Sequence, residues 1–200
     1  MDFDSIRQQL LDLSQAYGPQ DWWQSDNYVE DLVSTVLIQR TTERNALLAL
    51  DNLKDQCQLD TLAAMPLADL QAAIRPAGFF KAKSQTIKSL VSWLLEVGGR
   101  EGLVDVETSE LRQQLLSLKG IGPETADVLL LYIFGRKVFV ADEYARRLFR
   151  RWELADFTTY DQMAKALAGL VDPLTLKDCQ EIHAVIDEDG KAQRRQQRRP

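Results

Sequence analysis

The sequence has few residues that could cross-link the chain or bind a transition metal. Among its 200 residues only two are cysteines, Cys57 and Cys179, and they form no CxxC pair. A disulfide-based scaffold and a cysteine-rich metal site are therefore excluded, and we expect a protein of the reducing cytoplasm. The one histidine, His183, lies at helical spacing in EIHAVI without evident metal partners, so we interpret it as a packing residue and predict no metal site.

Long apolar segments are also missing. No run approaches the ~20 apolar residues that a membrane-spanning helix requires, so we expect no membrane as a partner. The N-terminal stretch MDFDSIRQQLLDL is acidic and amphipathic, which is unlike a secretory signal. With 45% hydrophobic and 27% charged residues, the composition is that of a globular protein that can bury a core.

An overall positive charge is absent as well. The net charge is −6, so a surface that binds nucleic acid would have to be a local patch. The last ten residues are the exception, because they contain five basic residues and no acid, whereas the other 190 contain 19 basic and 30 acidic residues. We predict one domain over residues 1–190 and a basic tail over 191–200 that is mobile unless a partner orders it.

Helical periodicity is abundant. Three apolar stripes recur every three or four residues, as in amphipathic helices: Ile6, Leu10, Leu13 and Tyr17; Val29, Leu32, Val33, Val36 and Leu37; Ile87, Leu90, Val91, Leu94 and Leu95. Further helices are predicted at 43–56, 66–74, 109–118, 143–152, 160–170 and 175–189. The apolar segment 128–134 predicts a helix buried on most sides, and β-branched pieces such as KVFV are too short for a sheet. The sequence therefore predicts an all-α protein.

The segment LKGIGPETAD predicts two helices joined by a tight turn. Gly120 and Gly122 allow backbone angles that other residues avoid, and Ile121 can insert into the core. Pro123 suits the first position of the second helix, where its missing N–H is not needed. The N–H groups at such a helix start could bind a DNA phosphate without reading sequence. The alternative is a plain helical corner with no DNA-binding role.

A resemblance to a known family rests on this hairpin and on the segment after it. Asp142 comes twenty residues after Gly122, in FVADEYARRLFRR. The pair resembles the helix-hairpin-helix glycosylases of the endonuclease III superfamily, whose signature is Leu-x-Gly-Ile/Val-Gly-x-x-Thr-Ala and then a VD bearing the catalytic aspartate. LVSTVLIQRTTERNALLALDNL and PLADLQAAIRPAGFFKAKSQTIKSLVSWL resemble the preceding parts of that family. The similarity extends over residues 20–190.

The resemblance implies a fold and a set of site residues. The fold would be all-α and two-lobed with a central cleft, and the helix-hairpin-helix motif would span about 109–134. Asp142 would be the catalytic carboxylate, although by itself an Asp before a helix is more typical of an N-cap. Gln39 would probe the DNA stack. The other predicted DNA contacts lie in the hairpin and are Lys119, Gly120, Ile121, Gly122 and Thr125.

Three departures from the family pattern indicate which branch of the family this sequence resembles. Glu124 occupies the position where bifunctional relatives carry a lysine that attacks the sugar, and a carboxylate cannot form a Schiff base. Only Cys179 lies where iron–sulfur members have four cysteines, so no such cluster can form. The sequences GIGPETAD and QEIHAVIDEDGK resemble the cluster-free, monofunctional branch that includes 3-methyladenine DNA glycosylases. In part of that branch a lysine replaces the cluster structurally, and Lys191 is the nearest match.

These features predict a monofunctional glycosylase that hydrolyses the N-glycosidic bond of a damaged base, such as an alkylated purine, in double-stranded DNA. Trp22 and Trp23 could form the base pocket because an indole face binds cationic bases, or they could pack in the core or cover the first helix. Glu124 could contribute to base choice. We expect a monomer without a cofactor, except for a possible monovalent cation at the hairpin. Phe79 and Phe80 are expected in the core, with contact to DNA as the alternative. Two alternatives remain open: an endonuclease III-like enzyme for oxidised or deaminated pyrimidines, and a non-catalytic DNA-binding protein.

Overall fold

The computed structural model describes residues 1–22 and 26–197. Within these residues the regular structure is entirely helical, which confirms the predicted all-α class. Eleven α-helices follow one another: α1 Phe3–Tyr17, α2 Tyr28–Leu37, α3 Glu43–Asp51, α4 Leu59–Ala64, α5 Leu67–Ala73, α6 Phe80–Glu96, α7 Thr108–Ser117, α8 Pro123–Tyr132, α9 Glu143–Arg151, α10 Tyr160–Ala166 and α11 Leu176–Gln197. Short 3-10 turns occur at Lys54–Gln56, Arg75–Ala77 and Glu101–Leu103.

The chain divides into two compact units. The first contains the two ends of the chain, Met1–Gln24 and Gly135–Pro200, and the second contains the middle, Ser25–Phe134. In the first unit, α11 packs against α1 and α9. Its core combines side chains from α1, α9, α10 and α11, including Ile6, Leu10, Leu148, Phe149, Met163 and Ile182.

In the second unit, α6 is the helix around which the others are arranged. It packs against α2, α4 and α5, and α2 in turn contacts α3 and α8. The apolar stripes predicted for α2 and α6 are the buried faces of these two helices. All five apolar residues of the α2 stripe are buried, as are Ile87, Leu90, Val91 and Leu94 of α6. The two helices of the hairpin, α7 and α8, pack against each other. As expected from its apolar sequence, α8 is buried over most of its length.

Polar side chains determine where several helices begin. The side chain of Asp2 accepts hydrogen bonds from the first turn of α1, and Asn27 does the same for α2. Thr42 and Thr159 cap α3 and α10 in this way. Each cap accepts from N–H groups that the first turn of a helix leaves without an intrahelical partner.

The last helix is longer than the sequence predicts. We expected it to end near residue 189 and a tail to begin at Lys191, but α11 continues to Gln197. The helix continues through Gly190, which lies against the ring of Tyr144, where a Cβ atom would come within 2.2 Å of the ring. Arg194, one turn further, donates a hydrogen bond to the Tyr144 hydroxyl at 3.2 Å. Of the helices that the structure describes, none is long and apolar enough to cross a membrane.

Candidate functional site

The hairpin turn between α7 and α8 depends on a close approach to α6. Gly120 has a left-handed backbone with φ of 89°, and a Cβ built on it would lie 2.0 Å from Thr86 Oγ1. Ile121 is only 7% exposed, so it inserts into the core as predicted. Gly122 is the N-cap of α8 and Pro123 its first residue. The glycine at position 120 therefore lets the turn lie directly on Thr86.

A partly buried ion pair connects the two hairpin helices. Arg112 of α7 donates from Nε to one carboxylate oxygen of Asp127 in α8 at 2.6 Å, and from a terminal nitrogen to the other oxygen at 3.1 Å. The Asp127 side chain is only 6% exposed. Such a two-point contact specifies the orientation of both groups as well as attracting them. The angle between α7 and α8 is thereby held by a directional bond in addition to apolar packing.

Two hairpin residues predicted to act at the DNA are exposed. Lys119 lies at the turn and Glu124 in the first turn of α8, and both face solvent. A carboxylate suits the first turn of a helix because it meets the positive end of the helix dipole. Thr125, the next residue, accepts a hydrogen bond at Oγ1 from the Gln39 side chain at 3.0 Å. The structure thus brings Gln39 and Thr125 together, although they are far apart in sequence.

Two strained turns in the same unit carry exposed side chains. We call residues 38–41 the Gln39 turn and residues 77–79 the Phe79 turn. Arg40 in the first has φ of 51° and Phe79 in the second has φ of 46°, both left-handed. Ile38 is 43% exposed and Phe79 is 64% exposed. Our expectation that Phe79 belongs to the core is therefore wrong: its backbone turns outward before α6 begins and directs the ring to solvent.

Asp142 occupies the N-cap of α9. Its Oδ1 accepts a hydrogen bond from the Ala145 N–H at 2.7 Å, and the residue is only 9% exposed. Asp142 therefore acts as the N-cap that is typical of an Asp before a helix. The carboxylate is held in one orientation, because the cap bond fixes one of its oxygens relative to the axis of α9.

The arginines of α9 are engaged within the first unit. Arg146 donates to the carbonyl oxygens of Asp142 and Thr158, at 3.3 and 2.9 Å. Arg150 pairs with Asp156, and Arg151 with the buried carboxylate of Asp189. Arg146 therefore stabilises the start of α9 by bonding to the backbone carbonyl of the cap residue. Its hydrogen bonds attach the residue before α9 to the loop ahead of α10.

Trp22 lies beside the middle of α11, between His183 and Lys191. Its ring meets the ring of His183 edge-on, with centroids 6.3 Å apart, and the Lys191 ammonium lies 5.1 Å from its centroid. Lys191 is also bonded to Asp187 at 2.5 Å and Glu188 at 2.9 Å. Trp22 is 42% exposed. Of the predicted base-pocket residues, Trp22 and Glu124 are described, whereas Trp23 lies outside the described residues.

The environment of Lys191 changes the acid–base behaviour of this cluster. Burial alone would lower the pKa of Lys191, but its hydrogen bonds to Asp187 and Glu188 raise it. The pKa of His183 is lowered to about 4, first by burial and then by the charge of Lys191. His183 is therefore neutral at pH 7, in agreement with its interpretation as a packing residue.

The titration of His183 predicts a pH dependence of stability. An unfolded histidine has a pKa of about 6.5, so the unfolded chain binds a proton more readily than the folded one. Stability should be fully present above about pH 6.5 and fall as the pH drops towards 4, by up to about 3 kcal/mol. Urea unfolding at a series of pH values checks this expectation. A His183→Gln variant should show a flatter profile between pH 7 and 5, and identical profiles would contradict the assignment.

The two thiols and the carboxylates do not form a metal centre in the described part of the chain. No group of three or more His, Cys, Asp or Glu residues is placed there to hold an ion. Cys57 and Cys179 are both buried, and burial raises the pKa of each thiol to about 11. With two cysteines in the whole sequence, one in each unit, the chain does not fit a four-cysteine iron–sulfur cluster.

Comparisons with known proteins extend over the hairpin, Gln39 and Asp142. The model of the HhH-GPD superfamily of base excision DNA repair proteins matches residues 33–173. MJ1434 of Methanocaldococcus jannaschii, which is named a putative DNA repair glycosylase, is 33% identical over 195 residues. The match covers 94% of this chain and 88% of that protein. Endonuclease III of Sulfolobus acidocaldarius is 30% identical over 128 residues, covering 62% of this chain and 56% of that enzyme.

Solved structures are similar over nearly the whole chain. The H. pylori 3-methyladenine DNA glycosylase MagIII, bound to 1,N6-ethenoadenine, superimposes with a TM-score of 0.78 at 27% identity, covering 96% of this chain and 99% of that one. A non-covalent endonuclease III–DNA complex gives a TM-score of 0.72 at 21% identity, covering 93% and 84%, and supports the fold alone. The chain therefore belongs to the HhH-GPD superfamily of base excision DNA repair proteins, as its resemblance to the endonuclease III superfamily predicts, and is a DNA glycosylase.

Proposed function

We propose that this glycosylase hydrolyses the N-glycosidic bond of a flipped, damaged base in double-stranded DNA, that Asp142 is its working carboxylate, and that it does not cleave the strand. The observation that carries the proposal is the position of Asp142. It comes after the hairpin at the family spacing, it is 9% exposed, and one of its oxygens is held by the Ala145 N–H. A carboxylate placed in this way meets its substrate with little freedom to reorient.

The chemistry requires one acid group of this kind. As the base departs, positive charge develops on the sugar, and a nearby carboxylate stabilises that charge. The same group can orient or deprotonate the attacking water. The cap bond from the Ala145 N–H to Oδ1 holds the carboxylate in place for these tasks.

Hydrolysis without strand cleavage is inferred from Glu124. A lysine at this position could attack the sugar and form a Schiff base, whereas a carboxylate has no such reaction. Glu124 is exposed in the first turn of α8, where the helix dipole favours its negative charge. The neighbouring N–H groups of the turn remain suited to a DNA phosphate. We infer that Lys119 and residues 120–125 contact a DNA phosphate without reading sequence. A monovalent cation bound at this hairpin also stays a prediction.

Extrusion of the base requires side chains that fill the space it leaves. The Gln39 turn supplies an amide and the Phe79 turn supplies an aromatic ring that is 64% exposed. Apolar wedges of this kind unstack neighbouring bases when they enter a duplex. We assign Gln39 and Phe79 together to the stack, with Gln39 released from Thr125 when DNA binds.

An alkylated purine fits the surroundings of Trp22. Purines methylated at N3 are cationic, and an indole ring attracts cations. In the free protein the Lys191 ammonium lies 5.1 Å from the centroid of the Trp22 ring, and its charge is balanced by Asp187 and Glu188. The similarity to a solved 3-methyladenine glycosylase supports the same substrate class. Similarity to endonuclease III favours the second candidate, excision of oxidised or deaminated pyrimidines.

A panel of substrates tests the proposal. Duplexes carrying 3-methyladenine, uracil or thymine glycol are incubated with the protein, and strand breaks are counted with and without hot alkali. We expect breaks in the 3-methyladenine duplex, and only after alkali. Breaks without alkali would contradict the role assigned to Glu124, breaks in the pyrimidine duplexes would favour the second candidate, and no base release from any duplex would favour a non-catalytic DNA-binding protein.

A further inference from the structure

Lys83 is a buried lysine whose ammonium is bonded to two backbone carbonyls. It lies in the first turn of α6, it is 5% exposed, and its Nζ donates to the carbonyl oxygens of Leu37 and Ala77, each at 2.8 Å. Burial lowers the pKa of this lysine. A buried lysine costs free energy unless its donors are satisfied, so these two bonds decide where the side chain can lie.

The two carbonyls stand at the bases of the two strained turns. Leu37 is the last residue of α2 and precedes the Gln39 turn, whereas Ala77 is the first residue of the Phe79 turn. The Lys83 ammonium therefore links the backbone at the start of one turn to the backbone at the start of the other. Residues in left-handed conformations, such as Arg40 and Phe79, cost about 1–2 kcal/mol each, and they persist only where the surroundings hold them.

The same helix also supports the hairpin. Thr86 lies one turn after Lys83 in α6, and Gly120 lies directly against it. Gln39 in turn donates to Thr125 of α8. The first two turns of α6 therefore contact the hairpin turn, the Phe79 turn and Leu37, the residue that directly precedes the Gln39 turn.

We propose that Lys83 is a positioning residue, which holds the Gln39 and Phe79 turns at a fixed separation so that both side chains can enter the DNA stack together. The proposal rests on the proposed function, because it assigns the two turns to DNA. Lys83 itself, being buried, touches neither the DNA nor the base. Its effect passes through the two carbonyls and the backbone of the turns.

A matched control exists in the same helix. Lys88 donates to the carbonyl oxygens of Leu62 and Ala63, at 2.6 and 2.9 Å, and to that of Met65. Burial lowers its pKa as well. Lys88 thus has the same chemistry at the end of α4, away from the two turns. Lys83→Met and Lys88→Met each remove one ammonium bonded to backbone carbonyls, and only the first should affect the turns.

The first measurement needs no substrate. Hydrogen exchange of the free protein is followed at one amide in each turn, those of Thr41 and Gly78, which donate to Ile38 O and Arg75 O. In Lys83→Met both amides should exchange about tenfold faster or more, since local opening governs exchange. In Lys88→Met they should exchange at the wild-type rate, and faster exchange should appear near residues 62–65.

The second measurement uses a duplex with a tetrahydrofuran abasic-site analogue opposite 2-aminopurine. Insertion of Gln39 and Phe79 unstacks the 2-aminopurine and raises its fluorescence. We expect Lys83→Met to lose the fluorescence rise and to bind the duplex about tenfold more weakly. A misplacement of about 1 Å caused by a distant mutation can lower the rate of an enzyme about 100-fold, so an effect of this size on binding is reasonable. In a Gln39→Ala/Phe79→Ala background, Lys83→Met should cause no further loss.

Several results would overturn the proposal. It fails if Lys83→Met matches Lys88→Met in both measurements, or if its loss is undiminished in the double-variant background. If Lys83→Met does not fold, Lys83→Arg, which keeps the charge but changes its geometry, carries the same comparison. Neither measurement depends on base release, so a wild-type protein that inserts its turns but releases no base would contradict the proposed function and leave the positioning role standing.

Discussion

An Asp142→Asn variant is expected to fold normally and to release base about 10²–10⁴-fold more slowly than the wild type, the range typical for loss of a general base. Asparagine is as good an N-cap as aspartate, and its amide oxygen can accept the Ala145 N–H bond now made by Oδ1. What it lacks is the negative charge that stabilises the sugar. Single-turnover base release from a lesion duplex, beside thermal unfolding, measures the two effects separately.

The same substitution at another N-cap is the control. Asp2 caps α1 through its side chain, as Asp142 caps α9. Asp2→Asn should therefore leave both stability and base release unchanged. Asp142→Ala should lose activity to the same extent as Asp142→Asn and in addition lose about 1 kcal/mol of stability, because the cap is gone. An Asp142→Asn enzyme with undiminished activity would remove Asp142 from the mechanism and leave it only the cap.

Gly120→Ala is expected to destabilise the hairpin by about 2–4 kcal/mol, from the left-handed backbone and the overlap with Thr86 together. The new Cβ would lie 2.0 Å from Thr86 Oγ1 and 3.2 Å from Thr86 Cβ, so the turn or α6 must move. Because the turn is assigned to a DNA phosphate, affinity for DNA should fall with it. Chemical unfolding and binding to an undamaged duplex measure the two losses.

The neighbouring glycine separates the two causes. Gly122 has an extended backbone, and a Cβ built on it meets nothing within 4 Å. Gly122→Ala should therefore lose at most about 1 kcal/mol, because alanine is a poorer N-cap than glycine, and clearly less than Gly120→Ala. If this space is where a phosphate approaches, Gly122→Ala should still weaken DNA binding. Equal stability of the Gly120→Ala and wild-type proteins would contradict the close packing of the turn on Thr86.

Much of the fold could be predicted because burial repeats along the chain. The stripes of α2 and α6 follow the 3.6-residue period and are buried, with Leu95 an exception at 40% exposure. Caps such as Asn27 and Thr42 are local signals as well. The end of α11 could not be predicted this way, because a glycine ordinarily favours the end of a helix, whereas Gly190 packs inside α11 against Tyr144, which is distant in sequence.

The geometry at the candidate site could be predicted where it depends on residues that are close together in sequence. The hairpin glycines, Pro123 and the cap residue Asp142 have roles that depend on their neighbours in sequence. Lys83 and Phe79 do not: a lysine is ordinarily exposed and a phenylalanine ordinarily buried, and here each does the opposite. The lysine is buried because carbonyls from two distant segments meet around it, and such a meeting leaves no periodic signal in the sequence.

Hydrolysis by Asp142 without strand cleavage is tested most directly by measuring both products of one turnover. A duplex with a single 3-methyladenine is mixed with excess wild-type or Asp142→Asn protein, and released base and intact strand are quantified from the same sample, before and after alkali. We predict one abasic site per released base, a strand intact until alkali is added, and almost no release by Asp142→Asn. Strand cleavage without alkali, or equal release by the two proteins, would contradict this mechanism.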